Sequence, residues 1–598
     1  VSLKKLSSIS IAFINPPHAD WSLANNMTYL MCQSYYNHYG KYADNVKWLP
    51  APYKWNLYTS FENCLEGIEH ADVFMFSSYA WNYSICDQLA KFIKETWPEK
   101  ICILGGPHIG TNEPEFLVSR NHYDFICQPT KPGEIFIEDF INSFIENDGK
   151  PIATEIAWEL RSNKGRVHNI GEETYSVYEE HMEYLTEILE YARVSKCEPF
   201  IVIETTRGCP YKCVYCEWGG GTGTKIYKKD LNIVKRDIMA MKKAGYRDAY
   251  LTDANFGVFK ERDVEIFRFG YENNFNLTDI STMKSKDLNR RIALIDEWFN
   301  VVGKGFETHS PSYRGTDMWG ETEFVSILPT VSIQSVSDEA MKIANRVDLS
   351  SEDKIKLGLH IRKRCSEQGY PAPALELILA MPGSTLDDFY TEMELMWNFK
   401  AFSTFDLDGW ANFRHDYMFL PDSVLNSPEY KAKYNIETVE VFSDIVDEDG
   451  IDNWDSLYKN KRTYFKTIRS CYSFTADEMM QMWIMNQASP WFLKNIYQYI
   501  ENEIDAKTFG KICWDVFTQL EEFKCLWDDV YDIFNPETPP RSIRKLKGPP
   551  RGEDAFQAFK IPENFQAFRV EVIENILNDN DLMIKSEIVA RCLLKEVA

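Results

Sequence analysis

Long apolar runs are absent from this 598-residue chain: no stretch approaches the ~18 consecutive apolar residues that a membrane-spanning helix requires. The opening, VSLKKLSSISIAFINPPHAD, sets Lys4 and Lys5 before an apolar run. That run is short, is followed by no small-residue cleavage site and stops at Pro16-Pro17, so it reads as a first β-strand and not as a signal peptide. The protein is expected to be soluble. Positive charge is also scarce, with 65 Lys and Arg against 90 Asp and Glu and a net charge of −25. Such a surface repels phosphate backbones, which argues against nucleic acid as a partner. One basic stretch, Arg541, Arg544, Lys545, Lys547 and Arg551, lies among prolines and reads as a solvated linker. A disulfide framework is missing too. The 14 cysteines are scattered apart from one group, which points to a reducing cytoplasm.

What is present is an alternation of strand and helix patterns, in a chain whose 44% hydrophobic content suffices for several domains. In residues 1–150 the strand-like runs are Ile9–Asn15, Val46–Leu49, Val73–Ser77, Ile101–Leu104 and Phe125–Cys127, separated by segments such as Tyr83–Thr96 that suit helices. This predicts a doubly wound, Rossmann-like parallel sheet, whose ligands bind beyond the carboxyl ends of the strands. Those ends carry Asn15-Pro16-Pro17, Ser77-Ser78-Tyr79, Gly105-Gly106-Pro107-His108 and Gln128, where small residues let a large flat ligand approach the backbone. Residues 151–196 form an acidic, tyrosine-rich connector. A second series occupies 197–425, with strands expected at Phe200–Glu204, Ala249–Thr252, Asp279–Met283, Thr330–Gln334, Leu375–Leu379 and Thr404–Asp408. Its first helix places Leu231, Val234, Ile238 and Met241 on one face, with Gly245 set to cap the end. Six βα repeats are too few for a closed eight-stranded barrel, so an open partial barrel is expected. Phe413-Arg-His415-Asp-Tyr417, just past the sixth strand, reads as a packed loop, with the lining of an active-site mouth as the alternative. Residues 426–598 read as mostly helical: Thr475 and Glu478 form a capping-box pattern, and Val516, Leu520, Phe523, Trp527, Val530 and Phe534 recur at helical spacing as a core stripe.

The one tight cysteine group is Cys209-Pro-Tyr-Lys-Cys213-Val-Tyr215-Cys216, following the first strand of the second series. Three thiolates can hold three irons of a four-iron, four-sulfur cluster and leave the fourth iron open. A structural zinc site is the alternative. Zinc wants a fourth ligand, usually from a second Cys pair or from histidines. The nearest histidines are His181 and His309, and the nearest other cysteine, Cys197, is the one residue that could complete such a site. Three thiols on one loop at a strand end fit an open cluster better.

Glu204-Thr-Thr-Arg-Gly-Cys209-Pro-Tyr-Lys-Cys213-Val-Tyr-Cys216 resembles the signature of the radical S-adenosylmethionine (SAM) superfamily. The resemblance implies that Cys209, Cys213 and Cys216 bind a [4Fe–4S] cluster, that SAM chelates its open iron, and that electron transfer cleaves SAM to methionine and a 5′-deoxyadenosyl radical. It places Tyr215 near the adenine. Asp253-Ala-Asn255-Phe-Gly257 falls where the family has a SAM-amino-binding turn, without the usual Gly-Gly-Glu. Gln334-Ser335 resembles the ribose-binding Glu-Ser pair, with Gln for Glu. Arg346 sits where many relatives carry arginine, and Ala380-Met-Pro-Gly383-Ser-Thr resembles a turn near the adenine.

With the first domain in front, the chain resembles the cobalamin-dependent radical SAM subfamily over roughly residues 1–425. The resemblance implies that cobalamin lies at Asn15, Pro16, Ser77, Ser78, Tyr79, Gly105, Gly106, Pro107 and Gln128. The Asp-x-His-x-x-Gly motif of mutase-type proteins is absent, so His18, His38 and His108 are expected as turn or surface residues. The implied activity is transfer of a methyl group from methylcobalamin to an unactivated carbon, with an external electron donor and a small-molecule or peptide substrate. The alternatives are a cyclase or oxidoreductase that uses both cofactors without net methylation, and a non-catalytic cobalamin carrier. No catalytic side chain is identifiable from sequence.

Overall fold

The computed structural model describes residues 8–16, 27–54, 60–79, 82–109, 118–127, 132–151, 168–195, 201–216, 225–278, 285–302, 315–316, 322–323, 331–346, 348–368, 375–398, 412–415, 419, 423–444, 462–523, 534–537 and 562–577. The first sheet comprises β1 (Ile9–Ile14), β2 (Val46–Trp48), β3 (Val73–Ser77), β4 (Ile101–Gly105) and β5 (Phe125–Ile126), all parallel, in the order β2-β1-β3-β4-β5. Its helices are α1 (Met27–Tyr39), α2 (Phe61–Cys64), α3 (Tyr83–Thr96) and α4 (Gly133–Glu146). Burial on both faces explains the near-continuous apolar strands. Ile11, Phe13, Val73, Met75 and Ile103 share one core with residues of α1 and α4. Ala12, Ile14, Phe74, Phe76 and Leu104 share another with α3. The doubly wound arrangement read from sequence is therefore present. Its strand order reverses between β1 and β3, where such sheets open a crevice beyond the carboxyl ends.

The connector contributes α5 (Val177–Glu180) and α6 (Met182–Ser195). The second series contains β6 (Val202–Ile203), β7 (Thr206–Arg207), β8 (Tyr227–Lys228), α7 (Leu231–Ala244), β9 (Asp248–Leu251), α8 (Lys260–Glu272), β10 (Asn276–Thr278), α9 (Leu288–Val302), β11 (Gly315–Thr316), β12 (Thr322–Glu323), β13 (Val331–Gln334), α10 (Asp338–Ile343), α11 (Ser351–Gln368), β14 (Leu375–Ile378), α12 (Leu386–Asn398) and β15 (Asn412–His415). Two three-stranded parallel sheets, β10-β9-β6 and β13-β14-β15, carry it. α7 forms as its sequence dictates: Asp230 caps it by accepting from Asn232 N, and Val234, Ile238 and Met241 are buried. Gly245 ends it at φ 110°, where a Cβ would strike Leu189 at 2.7 Å. Asp279–Met283 and Thr404–Asp408 lie outside the described residues. Phe413–His415 belongs to β15 itself, so the expected loop past strand six is a strand there.

The described part of the remainder is mostly helical, with one strand pair that the sequence reading did not anticipate. Alongside α13 (Pro428–Lys433), α14 (Ala476–Asn495), α15 (Ala506–Gln519) and α16 (Pro562–Leu577) stands an antiparallel pair, β16 (Glu437–Asp444) and β17 (Arg462–Ser470). Alternation of Thr438, Val439, Glu440 and Val441, with Val439 and Val441 buried, is the strand signal. The Thr475–Glu478 capping box heads α14. The aromatic stripe is not one helix. α15 ends at Gln519, Leu520 is extended and Phe523 lies in a 3₁₀ turn, although Val516, Phe523 and Phe534 share one core. Trp527, Val530 and the basic stretch 541–551 lie outside the described residues. Among the described residues no helix is long and apolar enough to cross a membrane.

One glycine sets the crevice rim. Gly106 has φ 100°, and a Cβ there would lie 2.3 Å from Ser78 O, whereas one on Gly105 would meet nothing closer than 3.6 Å. Gly106→Ala is expected to cost about 1–3 kcal/mol from backbone strain alone and to lower the thermal midpoint followed by circular dichroism. Gly105→Ala should leave that midpoint near the parent value.

Candidate active site

The cysteine loop leaves β7 and is held by two other chain segments. Cys209 and Cys213 are buried, Cys216 is half-buried, and all three are free thiols. Val214 N donates to Ala344 O and Leu425 N to Val214 O, each at 3.0 Å; Asn345 Nδ2 donates to Lys212 O at 2.9 Å. Chain segments after β13 and near 425 thus fix the loop on both sides of Cys213. Among the described residues no three His, Cys, Asp or Glu groups converge on a single-ion site. A cubane takes each thiolate at a different iron, so its ligands need not meet at one point as those of zinc must. Cys197 and His309 lie outside the described residues, and His181 sits on the connector, 3.0 Å from Ser34.

Asp253 anchors the strand end that feeds this loop. One carboxylate oxygen accepts from Thr205 N and Thr206 N at 2.7 and 2.9 Å, and the other from Thr205 Oγ1 at 2.5 Å. Burial pushes its pKa up to about 6, against the pull of those donors. Asn255, two residues on, donates from Nδ2 to Cys209 Sγ at 3.1 Å, while its buried Oδ1 has no hydrogen-bond partner. An orphaned acceptor beside a thiol ligand suits an ammonium donor, such as the amino group that the resemblance assigns to this turn. The donor set therefore fits a cluster with an amino-acid ligand.

Tyr215 is locked rather than free to swing. Its hydroxyl accepts from Arg346 Nη1 at 2.8 Å. Arg346 also pairs with Asp348 at 3.1 Å and donates to Ser332 O, and Asp348 pairs with Arg291 at 2.7 Å. Burial raises the Tyr215 pKa despite the neighbouring guanidinium. Burial opposes the Arg346 charge, but Tyr215 and Asp348 outweigh it and its pKa rises. Gln334 ends β13 at φ 69°, and Ser335 Oγ donates to Glu392 at 3.0 Å. In the Ala380–Thr385 turn, Gly383 N donates to Ser473 Oγ at 3.0 Å, which fastens the turn to the C-terminal part.

At the first sheet the carboxyl ends of β1, β3 and β4 come together. Asn82 Nδ2 donates to Asn15 Oδ1, Pro16 O and Ser77 O at 3.0, 3.3 and 3.2 Å, and its Oδ1 accepts from Tyr79 N at 2.7 Å. Ser78 N donates to Gly105 O, and His108 N to Ser78 O. Gly106 is thus required by the Ser78 backbone. Pro107 lies exposed in the same turn, and Gln128 and His18 are outside the described residues. His108 stacks on Tyr83 at 4.4 Å, and burial lowers its pKa to about 4; His38 pairs with Glu180. Asn82, Asp348, Arg291 and Glu392 were not singled out from sequence. Their partners are remote in the chain, and only the place of Asn82 just ahead of a helix gave any signal.

No known family model matches the chain. Two curated relatives do: the cobalamin-dependent radical SAM methyltransferase TokK of Streptomyces tokunonensis, 23% identical over 67% of this chain and 55% of that protein, and the 2-(S-pantetheinyl)-carbapenam-3-carboxylate methyltransferase of Streptantibioticus cattleyicolor, 24% identical over 62% and 50%. The chain spans about half the length of the curated relatives it matches. Among solved structures, the radical SAM methyltransferase TsrM of Kitasatospora setae, holding tryptophan and a SAM analogue, is similar at TM-score 0.51 and 13% identity over 81% of this chain and 89% of that one. The cobalamin-dependent enzyme OxsB with aqua-cobalamin bound is similar at TM-score 0.52 and 12% identity over 99% and 84%. At these identities the structural likeness shows the fold alone. A parallel α/β fold with a three-cysteine loop at a strand end is what the resemblance to radical SAM enzymes implies. Together with the curated relatives, it supports the cobalamin-dependent radical SAM family for this chain.

Lys354 on α11 reports on the buried charge behind the loop. Its Nζ donates to Ile333 O at 3.0 Å, and burial, with Arg346 and Arg291 adding to it against Asp348, lowers its pKa from 10.5 to about 8. The unfolded chain holds that proton longer as pH rises. Stability should therefore increase between about pH 8 and pH 10 and carry the full penalty below pH 8. Lys354→Met is expected to flatten that rise in thermal midpoint against pH.

Proposed function

We propose that this chain is a cobalamin-dependent radical SAM methyltransferase that methylates an unactivated carbon of a small molecule or peptide, with electrons from an external donor. The observation that carries the reading is the buried cysteine loop with the orphaned Asn255 acceptor beside Cys209. When bound, the cluster, SAM and cobalamin supply a radical and a transferable methyl group. Cys209, Cys213 and Cys216 hold the cluster, and Asn255 Oδ1 receives the SAM ammonium. Tyr215, oriented by Arg346, stands by the adenine, and Gln334 and Ser335 face the ribose. Asp253, both of whose oxygens are engaged by Thr205 and Thr206, acts by holding the strand end. Residues 1–150 carry cobalamin beyond Asn15, Pro16, Ser77, Ser78, Tyr79, Gly105, Gly106, Pro107 and Gln128. Residues 151–196 connect them to the 197–425 partial barrel, and 426–598 close it. The TokK and carbapenam methyltransferase names support transfer of a methyl group over other radical outcomes.

Anaerobic purification with cobalamin should give about four irons and bound cobalt, and Cys213→Ala should lose the iron. Under reducing turnover with substrate, both S-adenosylhomocysteine and 5′-deoxyadenosine should accumulate. 5′-Deoxyadenosine alone would replace methylation by cyclisation or oxidation, and no SAM cleavage at all would leave a carrier.

A further inference from the structure

A buried ion pair crosses from the first sheet to the cysteine loop. Glu134 lies in the first turn of α4, which follows β5, so it stands on the carboxyl side of the sheet, where the crevice opens. It is buried, and its Oε1 accepts from Arg207 Nη1 at 2.9 Å. Arg207 is itself buried on β7, two residues before Cys209, and its Nε and Nη2 reach both oxygens of Glu204 at 2.9 and 2.7 Å. Three donors of one rigid fork are thus shared between two carboxylates from different parts of the chain. Burial alone would push the Glu134 carboxyl up, but Arg207 and His168 hold it below its ordinary value. The strand that carries Arg207 is braced from behind. β7 pairs with β8, and the next residue, Lys229, is buried against Asp237 at 3.3 Å and Glu173 at 3.5 Å; Glu173 in turn meets His168 at 2.8 Å. Apolar surfaces also join the two parts through one continuous core. Apolar contact is non-directional and tolerates sliding, whereas a forked charge pair out of water fixes distance and angle together.

We propose that Glu134 is a positioning residue: through Arg207 it fixes the carboxyl rim of the first sheet against the cysteine loop and so sets the gap between methyl donor and radical source. This rests on the functional reading above. A lysine in place of Arg207 would lack the fork, and an apolar residue in place of Glu134 would leave a buried guanidinium short of a partner. No part of the pair needs to touch substrate for the gap to change.

The test uses the full-length protein and three variants: Glu134→Gln, Glu134→Asp, and Glu146→Gln at the opposite, exposed end of the same helix, where Glu146 pairs with Lys41. Amide hydrogen exchange is read on peptides covering 204–216, with and without cofactors. The magnetic interaction between cob(II)alamin and the reduced cluster is read by pulsed electron paramagnetic resonance. Glu134→Gln is expected to speed exchange in 204–216 by about tenfold or more through local opening and to broaden the cobalt-to-cluster distance distribution, at unchanged iron and cobalt content. Glu134→Asp, which keeps the charge one methylene short, should fall between and serves where the Gln variant fails to fold. Glu146→Gln should match the parent. Equal exchange in parent and Glu134→Gln, an equal rise in Glu146→Gln, or a uniform rise across the chain overturns the proposal. Absence of bound cobalt overturns the functional reading on which it rests, whereas unchanged exchange with cobalt bound overturns the clamp alone.

Discussion

A carboxylate taken wholly out of water is tolerated only when donors surround it, and Asp253 is in that position. It collects two backbone amides and a hydroxyl from Thr205 and Thr206 at the point where strand becomes cysteine loop. Without it those buried amides would lack partners, at about 1–3 kcal/mol each. The chain would then have no reason to turn where it does. Everything downstream depends on this turn: the burial of Cys209 and Cys213, the contact of Asn255 with Cys209, and the reach of Arg207 towards the first sheet.

On the other flank of the loop, charge is arranged as alternating signs. Arg291, Asp348 and Arg346 run in sequence to the Tyr215 hydroxyl, so two guanidiniums share one carboxylate and one phenol. Lys354 nearby is pushed towards its neutral form chiefly by burial, with the two guanidiniums adding to it against Asp348. Buried charge of this kind is weak as a source of stability but strong as a source of geometry. The tyrosine one residue before Cys216 is thereby held in a single orientation.

Much of this was legible in advance. Strand positions in the first sheet came within a residue of those observed, because apolar runs buried on two faces are bounded by Gly, Pro and Ser. The Asp230–Gly245 helix and the Thr475–Glu478 cap were equally plain, since caps and faces are local. The β16–β17 pair was passed over because its alternation competes with neighbouring aromatic spacing, and Phe523 showed that helical spacing can survive where the helix does not. The place of Asp253 at a strand end is legible in the sequence, but its three hydrogen bonds from Thr205 and Thr206 are not.

The triad itself, with three thiols on a loop and one coordination position to spare, is a property of eight consecutive residues, and so is the chemistry it permits. Which carboxylates meet which cations is not local. Glu134 and Arg207 are 73 residues apart, and Arg291 and Asp348 are 57 apart. Their pairing is decided by desolvation, which is set by what packs around a group and not by its neighbours in the chain. Spacing along the sequence determined what this protein can bind. Burial, which only the tertiary structure decides, determined which charges pair and which side chains hold the cysteine loop in place.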